Sequence, residues 1–492
     1  MLTVALPLAT FMQVLDSTIA NVAVPTIAGN LGASSSQGTW IITSYAVANA
    51  ISLPITGWLA RRFGEVRLFI VSVILFGIAS FLCGIATSLT TLVIYRVLQG
   101  AVSGPMIPLA QSLLIVNYPR HKRNMAIALW SMTVSVAPIC GPVLGGWISD
   151  NYQWGWIFFI NVPVSALVAF MVWHLLRGRE STRVRSPLNY VGLALLVFGV
   201  GALQMMLDRG KELDWFNSPE IITLAVTAFV GISLLIAWEL SDKNPIIDLR
   251  LFKSRNFSIG VICISLGMMV FLGTVVLLPL LLQTQYGYTA TLAGLAAAPI
   301  GILPVLLSPL VGKYAHKTDL RILISIGFFT FAACMYVRTW FSPDMDMRFV
   351  IIPQFIQGLA NALFFTTLTA LAFASLKPWQ MASAAALFNF LRTLCGGIGT
   401  SVVTTLWERR EALHHTHLTE HITPYNPLAL EALDRLQNLG LDATQSAAFL
   451  ASQITKQGFI MSANEVYLVC AVCFLAMIGL VWFAKPTQRA AA

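Results

Sequence analysis

The chain has 492 residues, of which 57% are hydrophobic and only 10% charged, and its mean hydropathy is +0.76. It is too apolar to close around a water-soluble core, and repeated apolar runs of about 20 residues identify an all-α integral membrane protein. The net charge of +9 is read as a signal of topology and of anionic headgroups rather than of a nucleic-acid surface.

Fourteen runs are long enough to span a bilayer. The first, 2–27, carries Asp16 near its middle in Leu15-Asp16-Ser17-Thr18-Ile19-Ala20-Asn21-Val22-Ala23-Val24-Pro25. Aspartate at the centre of a spanning helix costs about 2.5–3.5 kcal/mol on insertion scales, so it faces a partner or a watery cavity. Gln13 and Met12 share its helical face, which reads as a cavity wall; the alternative is a packing hydrogen-bond acceptor. The run lacks a basic leader and a small-residue cleavage site, so it is expected to remain in the mature protein.

Runs at 39–60, 68–85, 89–115, 126–148 and 156–176 follow. In the fourth, Arg96 shares a face with Gln99, Gly100 and Ser103. A guanidinium keeps its charge at physiological pH and needs an acceptor. Asp16 is the strongest acidic candidate, because no other Asp or Glu lies deep in the first six runs; backbone carbonyls are the alternative. The fifth run offers Pro138, Gly141, Pro142, Gly145 and Gly146. Gly141 and Gly145 permit close helix approach, and each proline removes a backbone hydrogen bond and favours a kink. Generic packing and a kinked seam both fit this pattern.

Two runs, 190–207 and 221–240, precede the last six at 257–282, 293–311, 322–336, 349–373, 382–407 and 466–483. A weak internal repeat relates the outer sets. Gly57-Trp58-Leu59-Ala60-Arg61-Arg62 matches Gly312-Lys313-Tyr314-Ala315-His316-Lys317, Arg96-Val97-Leu98-Gln99-Gly100 matches Gln354-Phe355-Ile356-Gln357-Gly358, and Ala128-Leu129-Trp130 matches Ala386-Leu387-Phe388. Such a repeat points to two related halves around a midplane site. The expected organisation is six plus two plus six: a six-helix bundle over 1–176, two inserted helices within 177–255, and a six-helix bundle over 256–492 that includes an external loop at 408–463. Arg392, on one face with Asn389, Gly396 and Gly399, suggests a substrate contact or gate, or a pairing within its own half.

Within 408–463, Asn426 can cap a helix that starts at Pro427 and stops at Gly440, and Asp442-Ala443-Thr444-Gln445 resembles a capping box. A small helical hairpin outside the membrane is expected. His414, His415, His417 and His421 read as a solvated polar stretch rather than a metal site, and the seven cysteines, all in apolar runs, as small buried hydrophobes. Twenty of the 30 Lys and Arg residues fall in loops on one side, which places both termini in the cytoplasm. No Walker loop, HExxH or acid-base cluster is present, so an enzyme is not expected, nor any cofactor or metal.

Four segments carry a resemblance: Leu15–Pro25, Gly57–Arg67, Arg96–Gly104 and Ala137–Gly146, the last similar to the Gly-Pro signature of antiporters, with Trp154–Pro163 in support. The chain resembles the fourteen-spanner drug:proton antiporters of the major facilitator superfamily, and most closely the EmrB-type multidrug exporters of Gram-negative bacteria. The resemblance implies a major facilitator fold with 14 transmembrane helices in the bacterial inner membrane. It also implies proton-coupled, alternating-access export of hydrophobic toxic compounds, with a periplasmic adaptor and an outer-membrane channel as partners, or else a lid role for the external segment. Proton coupling falls to Asp16 and Arg96. Met12, Gln13, Gln99, Trp130, Asn389, Phe390 and Arg392 are expected to line the substrate cavity. One departure is Arg61, where the family's loop motif carries an acid. The alternative within transport is a proton-linked carrier of a single polar metabolite.

Overall fold

The computed structural model describes residues 2–486 except 34, 120, 121, 182, 184–186, 188, 243, 244, 316, 317, 421 and 424; within helices, the side chains of 21, 22, 25, 35, 36, 135, 139, 142, 143, 146, 149, 150 and 290 are also outside the described set. The helices that build the bundle are α1 (Leu2–Asn30), α2 (Trp40–Phe63), α3 (Glu65–Gly84), α4 (Leu89–Ser103), α5 (Met106–Asn117), α6 (Arg123–Asn151) and α7 (Asn161–Leu176). After them come α8 (Tyr190–Arg209), α9 (Pro219–Ser241), α10 (Arg255–Gln285), α11 (Ala290–Ala297), α12 (Ile302–Tyr314), α13 (Leu320–Arg338) and α14 (Met347–Phe373). The chain ends in α15 (Met381–Glu420), α16 (Pro427–Asn438) and α17 (Ala443–Val481). α4 with α5, and α11 with α12, each form one spanning unit broken near its middle or start.

Helices begin where side chains satisfy their first amides. Ser88 opens α4 with a reciprocal capping box to Thr91, and Asp319 and Asp346 cap α13 and α14. α3 takes its cap from elsewhere in the chain: the Glu180 carboxylate accepts from the amides of Val66 at 3.0 Å and Arg67 at 3.1 Å.

Among the described residues, twelve helices are long and apolar enough to cross a membrane. The expected spans at 39–60 and 126–148 are helical, as α2 and α6, but fall outside those twelve, so fourteen is not reached among the described residues. α6 has seven side chains outside the described set, which divide it into stretches shorter than a span. In α2 the cause is polarity turned inward: it buries Thr43, Ser44, Asn49, Ser52 and Thr56 and ends on Arg61 and Arg62. The outer surface is the reverse, with Phe170, Phe198 and Phe229 exposed, as suits a body bathed in hydrocarbon rather than water.

α1 packs along α6, α2 along α4, and α10 along α15. The N-terminal and C-terminal helices meet where α15 lies on α2 and α5, and where α12 and α14 lie on α6. α8 stands beside both α2 and α15, and its Leu207 carbonyl accepts from the Ser401 hydroxyl at 3.0 Å.

The external segment 408–463, where a small helical hairpin is expected, is mostly helix: α15 runs on to Glu420, α16 follows, and α17 starts at Ala443. At 1.5 Å per residue, the 40 residues of α15 extend about 60 Å, beyond the roughly 40–45 Å of a bilayer with its headgroups. The extensions hold each other: Arg410 donates to both Glu465 oxygens at 2.6 and 2.9 Å, and His414 lies 3.1 Å from the same carboxylate. Asn426 caps α16, and Asp442 and Gln445 form a reciprocal cap on α17. Gly440, with φ of 93°, makes the turn between them in a conformation that favours glycine.

Candidate functional site

Asp16 and Arg96 meet deep in the N-terminal helices. Arg96 Nη1 donates to Asp16 Oδ2 at 2.7 Å, and both side chains are essentially sealed from solvent. The other carboxylate oxygen accepts from Gln99 Nε2 at 3.0 Å and from Asn161 Nδ2 at 2.6 Å. Ser80 Oγ accepts from the same two amides at 3.0 and 2.9 Å. Arg96 also donates to Gln99 Oε1 at 2.6 Å and from Nε to the Ile41 carbonyl at 3.1 Å, with its guanidinium 4.2 Å from the Tyr45 ring centre. One charge pair therefore ties α1, α2, α3, α4 and α7.

The local sequence explains the convergence. Arg96 and Gln99 are three apart on α4 and project from one face. Asn161 is the first residue of α7, directly after the short turn of helix Trp156–Phe159, which brings its amide onto α1. Both carboxylate oxygens are hydrogen-bonded, and removal of one partner from such a buried pair costs about 3–5 kcal/mol because a charge is then stranded. Protonation of the carboxylate acts on the same contact, since it removes the attraction for Arg96.

The Gly-Pro segment of α6 lies against α1 just past Asp16. A Cβ at Gly141 would collide with Thr18, and one at Gly145 would lie 3.0 Å from the Ile19 carbonyl oxygen. Pro138 is half-buried in an uninterrupted helix. Pro142 and Gly146 lie outside the residues whose side chains are described.

The remaining expected residues sit nearer the seam between the two sets of helices. Trp130 is buried on α6 and donates from its indole nitrogen to Thr10 Oγ1 at 3.1 Å. Asn389 on α15 donates to Gln111 Oε1 on α5 at 2.7 Å. Arg392, one turn further on, is buried with its guanidinium 5.9 Å from the Trp130 ring centre, and it joins no ion pair among the described residues. Met12, Gln13 and Phe390 are buried, and Gln13 Oε1 has no hydrogen-bond partner. Gln99 belongs to the Asp16 cluster rather than to this seam.

Sequence reasoning missed three members of the Asp16 cluster and one buried cation of the C-terminal helices. Asn161 lay inside the segment Trp154–Pro163 but carried no assigned role, and Ser80 and Tyr45 look like ordinary residues of apolar runs. Arg338 was counted as a loop cation, yet it is buried and donates to Gln354 Oε1 at 2.6 Å and Gln357 Oε1 at 2.5 Å. The repeat held the signal: Gln354 and Gln357 match Arg96 and Gln99, and Arg338 stands at the same offset from Ser80.

The family profile described as Major Facilitator Superfamily matches residues 6–400. The chain is 60% identical over 486 residues to "Multidrug export protein EmrB" of Escherichia coli (strain K12), covering 99% of this chain and 95% of that protein. It is 57% identical over 484 residues to "Fatty acid resistance protein FarB" of Neisseria gonorrhoeae, covering 98% and 96%. Its fold is similar to that of the proton:xylose symporter XylE, with a TM-score of 0.62 at 13% identity over 99% of this chain and 96% of the other. With full-length kinship at that level and the bundle described above, the chain belongs to the major facilitator superfamily, as an EmrB-type transporter.

Proposed function

We propose that the protein is a proton-coupled multidrug efflux antiporter of the bacterial inner membrane that exports hydrophobic toxic compounds by alternating access. The relatives named for multidrug export and fatty acid resistance support the efflux reading. The observation that carries the coupling is the buried Asp16–Arg96 pair. A proton delivered to Asp16 from the periplasm neutralises it, loosens its hold on Arg96 and favours rearrangement of the helices this pair joins; release to the cytoplasm restores the pair. Residues 1–176 and 256–492 act as the two moving bundles, with 177–255 as an insert and fourteen spans in all. Both termini lie in the cytoplasm, which leaves the α15–α16–α17 projection in the periplasm. There it meets an adaptor that leads to an outer-membrane channel.

Trp130, Phe390 and Met12 supply permissive apolar contact, and Gln13, Asn389 and Arg392 polar ones. Asp16→Asn tests the reading, because it keeps shape and hydrogen bonding but removes titration. In proteoliposomes with an imposed pH gradient, uphill drug movement is expected to vanish while binding persists. Wild-type uphill transport by this variant would place coupling elsewhere.

A further inference from the structure

Two joined cavities at the edge of the bundle play no part in the coupling scheme. The first, of about 210 Å³, lies between the start of α2 and the end of α8 and is lined by Trp40, Thr43, Asp208, Arg209 and Glu212. Arg209 pairs with Glu220, and Lys211 pairs with Glu408 at 2.6 Å, but Asp208 and Glu212 join no ion pair among the described residues. Both are open to solvent, so two unmatched carboxylates face this cavity. The second cavity, of about 570 Å³, shares Trp40 and Thr43 with the first and continues along α2, α4 and α8 over Val47, Ile51, Ile55, Val93, Val97 and Met205. From Thr43 to Leu59 on α2 this apolar trough extends about 24 Å. Val97 is 43% exposed, so the trough opens sideways to hydrocarbon.

Depth sorts the two cavities. Trp40 is the first residue of α2, and tryptophan is enriched where headgroups meet hydrocarbon. The polar cavity therefore lies at headgroup level, with the trough beside the acyl chains. The Lys211–Glu408 pair sets the polar cavity on the side of the membrane where α15 and α17 project. We propose that the two cavities together bind one ethanolamine-headed phospholipid of that leaflet, with its ammonium on Asp208 and Glu212, its phosphate beside Arg209 and an acyl chain in the trough. An ammonium donates charge-assisted hydrogen bonds to both carboxylates. A trimethylated head has no N–H to donate, and an anionic head is repelled by the same two groups. The lipid fills the space between α2 and the inserted helix α8. This site stands apart from the exporter reading, because its occupancy is measured without transport.

The test adds phosphatidylethanolamine, phosphatidylcholine or phosphatidylglycerol with matched acyl chains to the delipidated full chain in detergent and reads the concentration that gives half-maximal thermal stabilisation. Phosphatidylethanolamine is expected to act at least fivefold below phosphatidylcholine and at least tenfold below phosphatidylglycerol. Asp208→Asn with Glu212→Gln should weaken phosphatidylethanolamine at least fivefold and leave phosphatidylcholine unchanged, since only the ammonium loses its partners. Ala101→Phe, which fills the trough away from the polar cavity, should weaken both zwitterionic lipids alike. Equal action of the three lipids on wild type would overturn the proposal. So would phosphatidylethanolamine binding at wild-type strength by either folded variant. Dodecylammonium, an alkyl chain with the charge but no phosphate, supplies the last arm and should displace phosphatidylethanolamine only in at least tenfold excess. Displacement at equal concentration would make the cavities a portal for lipophilic amines and overturn the lipid site.

Discussion

Arg61 Nη1 donates to the Ser383 hydroxyl across 2.8 Å, and its Nη2 reaches the Pro245 carbonyl at 3.3 Å. The end of α2, the start of α15 and the strand of chain before α10 are joined by one guanidinium, at the position where the family's loop motif has an acid. One turn earlier, a Cβ on Gly57 would fall 2.7 Å from Ser383 Oγ and 2.9 Å from its Cα. Gly312, the counterpart of Gly57 in the repeat, makes the matching approach on the other side: its Cβ would lie 2.8 Å from the Asn124 carbonyl oxygen and 3.0 Å from Met125 Cα. Two related glycines therefore let two pairs of helices close on each other's backbone.

We predict that Gly57→Val or Gly312→Val props this seam open. Backbone cannot yield as a flexible side chain would, so each variant should lower transport more than tenfold, with Gly57→Ala milder. Cysteine labelling from the side on which α2 ends should rise at seam positions in the valine variants. Wild-type transport in both would mean that closure here is no step of the cycle.

A double-mutant cycle on the buried pair separates stability from coupling. Arg96→Gln alone strands the Asp16 carboxylate and is expected to destabilise the protein by about 3–5 kcal/mol. Asp16→Asn combined with Arg96→Gln should recover most of that stability, because no charge is left without a partner, yet remain uncoupled. Thermal unfolding in detergent reads the first quantity and gradient-driven transport the second. Additive losses across the cycle would show that the two side chains do not act together.

Asn161 gives a subtler test. Its amide donates to Asp16 at 2.6 Å and to Ser80 at 2.9 Å. Asn161→Leu removes a hydrogen bond to a charged acceptor, for which about 1.5–3 kcal/mol is typical. We expect that loss in stability together with slower proton-coupled transport, whereas Asn161→Asp should be worse because it places a second carboxylate against Asp16. An indifferent Asn161→Leu would reduce the cluster to the ion pair alone.

How far the sequence revealed this site depends on the kind of signal each residue sends. Asp16 and Arg96 announce themselves, since a charge inside an apolar run demands a partner and few are on offer. Asn161, Ser80 and Tyr45 do not, because a single amide or hydroxyl is common in spanning helices and only the fold shows which one turns toward the carboxylate. Arg338 was hidden by its place at a helix end, where a snorkelling cation is the ordinary reading. The spans were legible from hydropathy where helices face lipid. That signal faded in α2, whose polar residues point inward, and it gave the wrong ending for α15, where helix continues past the apolar stretch with charged and histidine residues.

The projection beyond the membrane yields the last prediction. α16 presents Leu428 at 75% exposure, and Leu439 at its end is 80% exposed. A partner docking along α16 would cover both side chains. None of the residues proposed for proton or drug lies in α16, so its surface and the transport cycle are separable. We predict that Leu428→Glu with Leu439→Glu leaves proton-coupled uptake into inverted vesicles near wild type, since that assay needs only the transporter. Drug resistance of whole cells should fall several-fold, because in the function proposed above the exported compound passes there to an adaptor. Equal loss in both assays would assign the projection to the transport cycle as a lid, and no loss in either would leave the adaptor to dock on another face.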